Sequence, residues 1–355
     1  MSDGRIAGFT LPREVLAVEF RMLSFYYLPP MSAVGLAGVA GGSLLTGLYW
    51  LQCAACGGDS MSLLSAEAPD VVELFDNLGL RMLFHPSLSN LSNDEQGRLK
   101  EDLLAGRRDL DILVVEGAVI RGPAGTGMYD THRGHPRKDL VVALARQARY
   151  VVAAGTCASF GGCGGYADAQ AVGLQFQRGE RGGLLGSDFL SRAGVPVINL
   201  AGCPCHTEVI AGTLAALAGG APLELDRLQR PKVWFSMTVH QGCTRNEYHE
   251  YRVEETDFGD RGCLFFHMGC HGPIAAGPCN KTLWNRRSSK TRVGVPCFGC
   301  TSPDFPPAYP FFETDNIEGI PIRLPDGVSR AHYMVYKGMA AAAAPKRLTK
   351  RRTNV

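Results

Sequence analysis

The sequence predicts an α/β fold: a flavodoxin-like, doubly wound parallel sheet followed by a loop-rich region that something other than an apolar core must organise. Three observations carry that expectation. Short apolar runs alternate with amphipathic stretches from residue 44 to about 225, the alternation stops near residue 240, and from there glycine, proline and cysteine take over.

Residues 1–43 precede the alternation and read as an N-terminal extension. From Met22 to Gly58 there is no charged residue, which is length enough to span a bilayer. Pro29, Pro30 and five glycines between Gly35 and Gly47 argue against a spanning helix, so the stretch is read as a segment buried against another chain. The expected strands are LLTGLYWL (44–51), LRMLFH (80–85), LDILVVEGAVI (110–120), YVVAAG (150–155) and VPVINLAG (195–202). Helical periodicity falls between them, in LLSAEAPDVVELFDNL (63–78), DEQGRLKEDLLAG (94–106) and KDLVVALARQA (138–148). Strand and helix in this order define a flavodoxin-like domain over 44–225. A cysteine-rich domain follows over 226–315, with too little apolar periodicity to build its own core, so bound metal is expected to hold it together. Residues 316–355 form a C-terminal tail whose last fifteen residues, alanine-rich and then basic, are expected to be mobile.

Composition narrows the function. The 355 residues carry a formal charge of +2, and basic residues are scattered apart from KRLTKRR (346–352), so no nucleic-acid partner is expected. Twelve cysteines in a chain of this size need not staple a small secreted domain. The N-terminus, MSDGRIAGFTLPREVL, shows neither a basic segment followed by an apolar core nor a twin-arginine motif, so a reducing cytoplasm is expected. The long uncharged stretch leaves peripheral membrane association open. GGCGGYAD (161–168) has no basic residue for phosphate, and no GxxxxGK[ST] occurs.

In an open parallel sheet, sites form where loops leave the carboxyl ends of strands. Cys56, Cys157 and Cys203 occupy such positions, and Gly155 and Gly202 let backbone approach a bulky ligand. Six further cysteines, Cys243, Cys263, Cys270, Cys279, Cys297 and Cys300, follow in the loop-rich region, with His240 in HxxC spacing before the first. Soft and borderline ligands of this kind suit zinc or iron-sulfur clusters. A zinc reading joins HQGC and CFGC in one tetrahedral site and leaves Cys263, Cys270 and Cys279 without a role.

Taken in order, WL before the first cysteine loop, LVVEG (113–117), GTCASFGG (155–162), INLAGCP (198–204), HQGC (240–243), GCLFFHMGCHGP (262–273), CNKTLWN (279–285) and PCFGCTSPDFP (296–306) resemble the small, electron-transferring subunit of nickel-iron hydrogenases. The resemblance covers roughly residues 44–310 and implies three iron-sulfur clusters in a line. The proximal cluster, 4Fe-4S or 3Fe-4S, would use Cys56, Asp59, Cys157 and Cys203. The medial cluster, 3Fe-4S or 4Fe-4S, would use Cys279, Cys297 and Cys300. The distal 4Fe-4S cluster would use His240, Cys243, Cys263 and Cys270. The resemblance places the nickel-iron centre in a separate large subunit and leaves Cys163 and Cys205 as packing neighbours. It further implies a higher oligomer of heterodimers that oxidises hydrogen and passes electrons to an acceptor protein or a quinone.

Three departures from the family pattern stand out. The step from Cys263 to Cys270 is seven residues where the family usually shows six. Lys290 stands where the family commonly has proline, so no fourth medial cysteine is present. Counting from Trp50 and Leu51 puts Cys56 and Asp59 at the first two proximal positions and leaves Cys53 outside. Aspartate there resembles the actinobacterial-type hydrogenases, a subgroup associated with oxygen tolerance and oxidation of dilute hydrogen. A three-residue slip, with Cys53 and Cys56 as the pair and Asp59 capping a helix, is the alternative. A relay from a quinone-linked respiratory complex would share the flavodoxin-like part, but it predicts tandem cysteines in the first loop and no long cysteine-rich tail.

Overall fold

The computed structural model describes residues 46–162, 169–308, 311–314, 316–317, 320–324 and 327–349. The N-terminal extension, the first part of the uncharged stretch and Cys163 lie outside the described residues. Five parallel strands form the central sheet: β1 Thr46–Gln52, β2 Leu80–Phe84, β3 Leu110–Glu116, β4 Ala148–Ala154 and β5 Ile198–Leu200. Their spatial order is β5-β4-β3-β1-β2, the flavodoxin-like arrangement, and the direction of winding reverses between β1 and β3.

Alternation within each strand supplies two cores. Leu48, Trp50, Ile112, Val114 and Val152 face one side and pack with Leu74 of α2 (Val71–Asp76) and with Val209 and Leu214 of α6 (Thr207–Ala218). Tyr49, Leu113, Val115 and Val151 face the other, against α3 (Asn93–Leu104) and α4 (Arg137–Gln147). Both faces are covered, so these strands are apolar throughout.

Two elements differ from the sequence expectation. The stretch 63–78 is not one helix but the end of α1 (Gly58–Leu64) and the whole of α2. Pro69 lacks the N–H a continuous helix would need, and Asp70 restarts the chain with a capping box in which its carboxylate accepts from the Glu73 backbone at 2.8 Å. The run 110–120 ends as a sheet strand at Glu116; Gly117 turns at φ 91°, and Val119–Ile120 pairs instead with Ala171–Val172. A Cβ on Gly117 would lie 2.6 Å from the Ala54 carbonyl oxygen, so the turn tolerates no side chain.

Beyond α6 regular structure is sparse. A 3-10 turn spans Val239–Gly242, a short helix α7 spans Asn246–Glu250, and a longer helix α8 spans Arg330–Ala342. Within the alanine-rich and basic C-terminal stretch, Leu348 is buried and Arg347 pairs with Glu247. Among the described residues no helix is long and apolar enough to cross a membrane.

Candidate functional site

Register brings the first group of candidate residues together. Gln52 stands opposite Glu116, Glu116 opposite Ala154, and Ala154 opposite Leu200, so four strands end in one row. The loops that follow carry Cys56 and Asp59, Cys157, and Cys203. A pair of hydrogen bonds joins the last two loops: Thr156 N donates to the Gly202 carbonyl at 2.8 Å, and Gly202 N donates to Thr156 Oγ1 at 2.9 Å. Cys56 lies on the same edge, since a Cβ added to Gly58 would sit 3.2 Å from its sulfur and 3.5 Å from Pro204.

Asp59 is buried in the first turn of α1, behind Gly57 at φ 79°. Its Oδ1 accepts from the Cys205 backbone N–H at 2.6 Å, and a Cβ on Gly155 would lie 2.1 Å from its Oδ2. The carboxylate therefore points across to the loops of Cys157 and Cys203 and does not cap its own helix. Burial pushes this carboxyl up to about 7, the Cys205 N–H opposes the rise, and the charge of Glu116 adds to it. Cys53 packs on the opposite face of the sheet, in the core with Phe84 and Leu140. Burial pushes its thiol up to about 12, with Asp130 adding and Arg137 opposing.

Glu116 is a functional residue the sequence reading did not single out. Fully buried at the end of β3, it accepts from Trp50 Nε1 at 2.9 Å, Gln52 Nε2 at 3.0 Å, the backbone N–H groups of Asp59 and Ser60 at 3.0 and 3.2 Å, and Ser60 Oγ at 2.5 Å. Burial alone would raise its carboxyl, but these donors outweigh burial and hold it below the ordinary value. The charge anchors the N-terminus of α1 and so fixes where Asp59 starts. Its signal in the sequence was a lone acid ending an apolar strand, in LVVEG.

The remaining candidates line two adjoining cavities. His240, Cys243, Cys263 and Cys270 line one. Cys279, Cys297 and Cys300 line another, which reaches Gly202 and Pro204 of the sheet edge and is also lined by Lys290. Asn280 and Thr291 belong to both walls. Asn280 Oδ1 accepts from Thr291 Oγ1 at 2.8 Å while its Nδ2 donates to the Val239 carbonyl at 2.8 Å, which braces that partition. The Cys297 backbone N–H points at Cys270 Sγ at 3.4 Å, linking the cavities directly, and Thr156 Oγ1 donates to the Cys300 carbonyl, linking the second cavity to the sheet edge. Buried Arg245, also unforeseen, donates to the carbonyls of Thr291 and Gly262 at 2.6 Å each and holds the loops of the first cavity.

Burial pushes the thiols of Cys263 and Cys279 up to about 12 and that of Cys270 up to about 11. Such thiols stay protonated until a metal displaces the proton. Among the described residues, no three His, Cys, Asp or Glu side chains converge on one point at single-ion distances. The sulfurs are instead spread around a cavity, which suits a polynuclear cluster whose irons are each bound by a different thiolate. Cys205, by contrast, is wholly buried in the apolar core beside α6.

Two family models match the chain: that of the 20 Kd subunit of NADH ubiquinone oxidoreductase over residues 56–217, and that of the C-terminal part of the NiFe/NiFeSe hydrogenase small subunit over residues 235–313. The first spans the loops of Cys56, Cys157 and Cys203, and the second holds all seven candidate ligands that line the two cavities. The chain is 32% identical over 292 residues to the F420 non-reducing hydrogenase I small subunit of Methanosarcina mazei, covering 74% of each chain. It is 31% identical over 293 residues to the periplasmic [NiFe] hydrogenase small subunit 1 of Nitratidesulfovibrio vulgaris, covering 80% of this chain and 87% of the other. A solved actinobacterial-type NiFe-hydrogenase from Ralstonia eutropha superposes with a TM-score of 0.69 at 27% identity, over 84% of this chain and 90% of that one. With the flavodoxin-like sheet, the cysteine-rich region after it and these relatives in agreement, the chain belongs to the nickel-iron hydrogenase small-subunit family.

Proposed function

We propose that the chain is the electron-relay subunit of a hydrogen-oxidising nickel-iron hydrogenase and holds three iron-sulfur clusters. Cys56, Asp59, Cys157 and Cys203 bind the proximal one, Cys279, Cys297 and Cys300 the medial one, and His240, Cys243, Cys263 and Cys270 the distal one. One observation carries this reading: candidate ligands scattered over residues 240–300 line two cavities that share a wall, and the second cavity abuts the edge that carries the other four. Iron-sulfur clusters supply one-electron chemistry when bound. The chain's own residues set where they lie: Thr156 ties the proximal edge to the medial loop, Asn280 braces the medial-distal partition, and Arg245 holds the distal loops. Lys290, in place of a fourth thiol, supports a three-iron medial cluster.

Asp59 is assigned to the proximal site in preference to Cys53, because its carboxylate and not the Cys53 thiol faces the loops of Cys157 and Cys203. That aspartate, together with the likeness to the actinobacterial-type structure, supports membership of the oxygen-tolerant subgroup. The nickel-iron centre belongs to the large subunit of a heterodimer, and assembly of heterodimers with an acceptor protein or a quinone completes the reading. The test is the complex purified with its large subunit. Replacing Cys157, Cys203, Cys279, Cys297 or Cys300 by alanine is expected to remove the iron and the magnetic-resonance signal of one cluster each, while Cys205→Ala and Cys163→Ala keep full iron. Equal iron loss from both sets would overturn the assignment.

A further inference from the structure

Helix α8 lies beyond the stretch matched by the hydrogenase family model, yet its buried face packs on the distal cavity. Tyr333 and Lys337, one helical turn apart, are the buried residues of α8, while Met334, Val335, Tyr336 and Met339 are exposed. Tyr333 sits in a small apolar cluster with Cys263, Phe265 and Phe266. Its hydroxyl is buried and, among the described residues, makes no hydrogen bond. Lys337, only 4% exposed, donates from Nζ to the carbonyl of His249. His249 Nδ1 in turn lies 3.3 Å from Cys263 Sγ.

A buried ammonium needs negative charge nearby. Burial pulls Lys337 down to about 8, and the Cys263 thiol, Glu254 and Glu250 pull it back up while Arg252 opposes them. Glu254 lies 3.3 Å from His267 Nε2 and 3.7 Å from Arg252 Nε. Glu250, exposed at the surface, accepts from the Tyr336 hydroxyl at 3.3 Å, and a ligated Cys263 sulfur adds a further anion on the buried side, beside the His249 ring.

We propose that α8 is a tuning element for the distal site: Lys337 brings a buried cation and Tyr333 a buried hydroxyl dipole to the Cys263 corner, where the His249 ring lies against the sulfur, and together they raise the reduction potential of the distal cluster. The inference rests on the distal ligand reading above. Reduction adds negative charge, and donors to ligand sulfur together with nearby positive charge stabilise the reduced form, so the potential rises. The last carrier of the relay thereby becomes the preferred resting place for the electron. Tyr333 and Lys337 are positioning residues, since they act on the cluster through its cysteine ligand.

The experiment is a potentiometric titration of the intact complex, followed by electron paramagnetic resonance, with Cys243→Ala identifying the distal signal. If that signal survives Cys243→Ala, the ligand reading has failed, independently of α8. With the signal identified, Lys337→Met and Tyr333→Phe are each expected to shift the distal midpoint downward at unchanged iron content, and Lys337→Arg to restore it. Distal midpoints equal to wild type in both Lys337→Met and Tyr333→Phe would overturn the proposal. Should Lys337→Met lose distal iron, Tyr333→Phe and Lys337→Arg decide. A lowered midpoint in the first with a wild-type midpoint in the second supports the tuning role, and any other pattern overturns it.

Discussion

Asp59 shows what a single carboxylate does among thiols. As the proposed proximal ligand it is harder than cysteine, and burial raises its carboxyl to about 7. Asp59→Ala is expected to convert the proximal cluster to a form lacking one iron, or to change its magnetic-resonance spectrum, while Cys53→Ala leaves that spectrum alone. The opposite outcome would restore the slipped register. Asp59→Cys should bind the iron at that corner more firmly and shift the midpoint potential. Glu116 acts one step further back. Five donors converge on its carboxylate, and an amide in its place would turn an N–H₂ group toward some of them. Glu116→Gln is therefore expected to cost about 2 kcal/mol of stability, read as a lower denaturation midpoint of the complex. It should also broaden the proximal signal as Asp59 loses its fixed position.

At the level of elements, the β4-to-α5 junction decides whether the proximal site closes. Here α5 is Gly155–Phe160, and Gly155 turns the chain at φ 82° with the Asp59 carboxylate where its side chain would be. Gly155→Ala is expected to cost at least about 1 kcal/mol in backbone strain and to expel Asp59, with loss of proximal iron. In an Asp59→Ala background the clash is absent, so the added effect should shrink to the strain alone, which a double-mutant comparison of iron content and stability measures. The sheet strands were legible because burial on both faces leaves an unbroken apolar run. Helices α3 and α4 were legible from their 3.6-residue period, and Ser92 with Glu95 marks the start of α3 by a capping box. The break at Pro69 was readable and overlooked, since Asp70 and Glu73 spell the restart. The candidate ligands were legible because thiols are rare and their spacings distinctive. Glu116, Arg245, His249 and Lys337 were not, because each acts through a partner distant in sequence, and only folding brings a lone polar residue to it.

For the whole molecule, division of labour follows from the placement of the sites. Nothing in this chain provides a second pair of CxxC motifs for nickel once the cluster ligands are assigned, so the isolated chain is expected to show no hydrogen uptake, and activity should return with the large subunit. Uptake by the single chain, measured with an artificial acceptor dye, would refute that division. Cys56, the exposed member of the proximal group, marks the surface the partner is expected to cover. The shared wall of Asn280 and Thr291 sets a limit of another kind. A site walled off by its own residues can be exchanged or redesigned alone, whereas here any change to the partition is felt on both sides. The two cavities form one engineerable cassette: a graft that moves either cavity to another scaffold must carry the other with it.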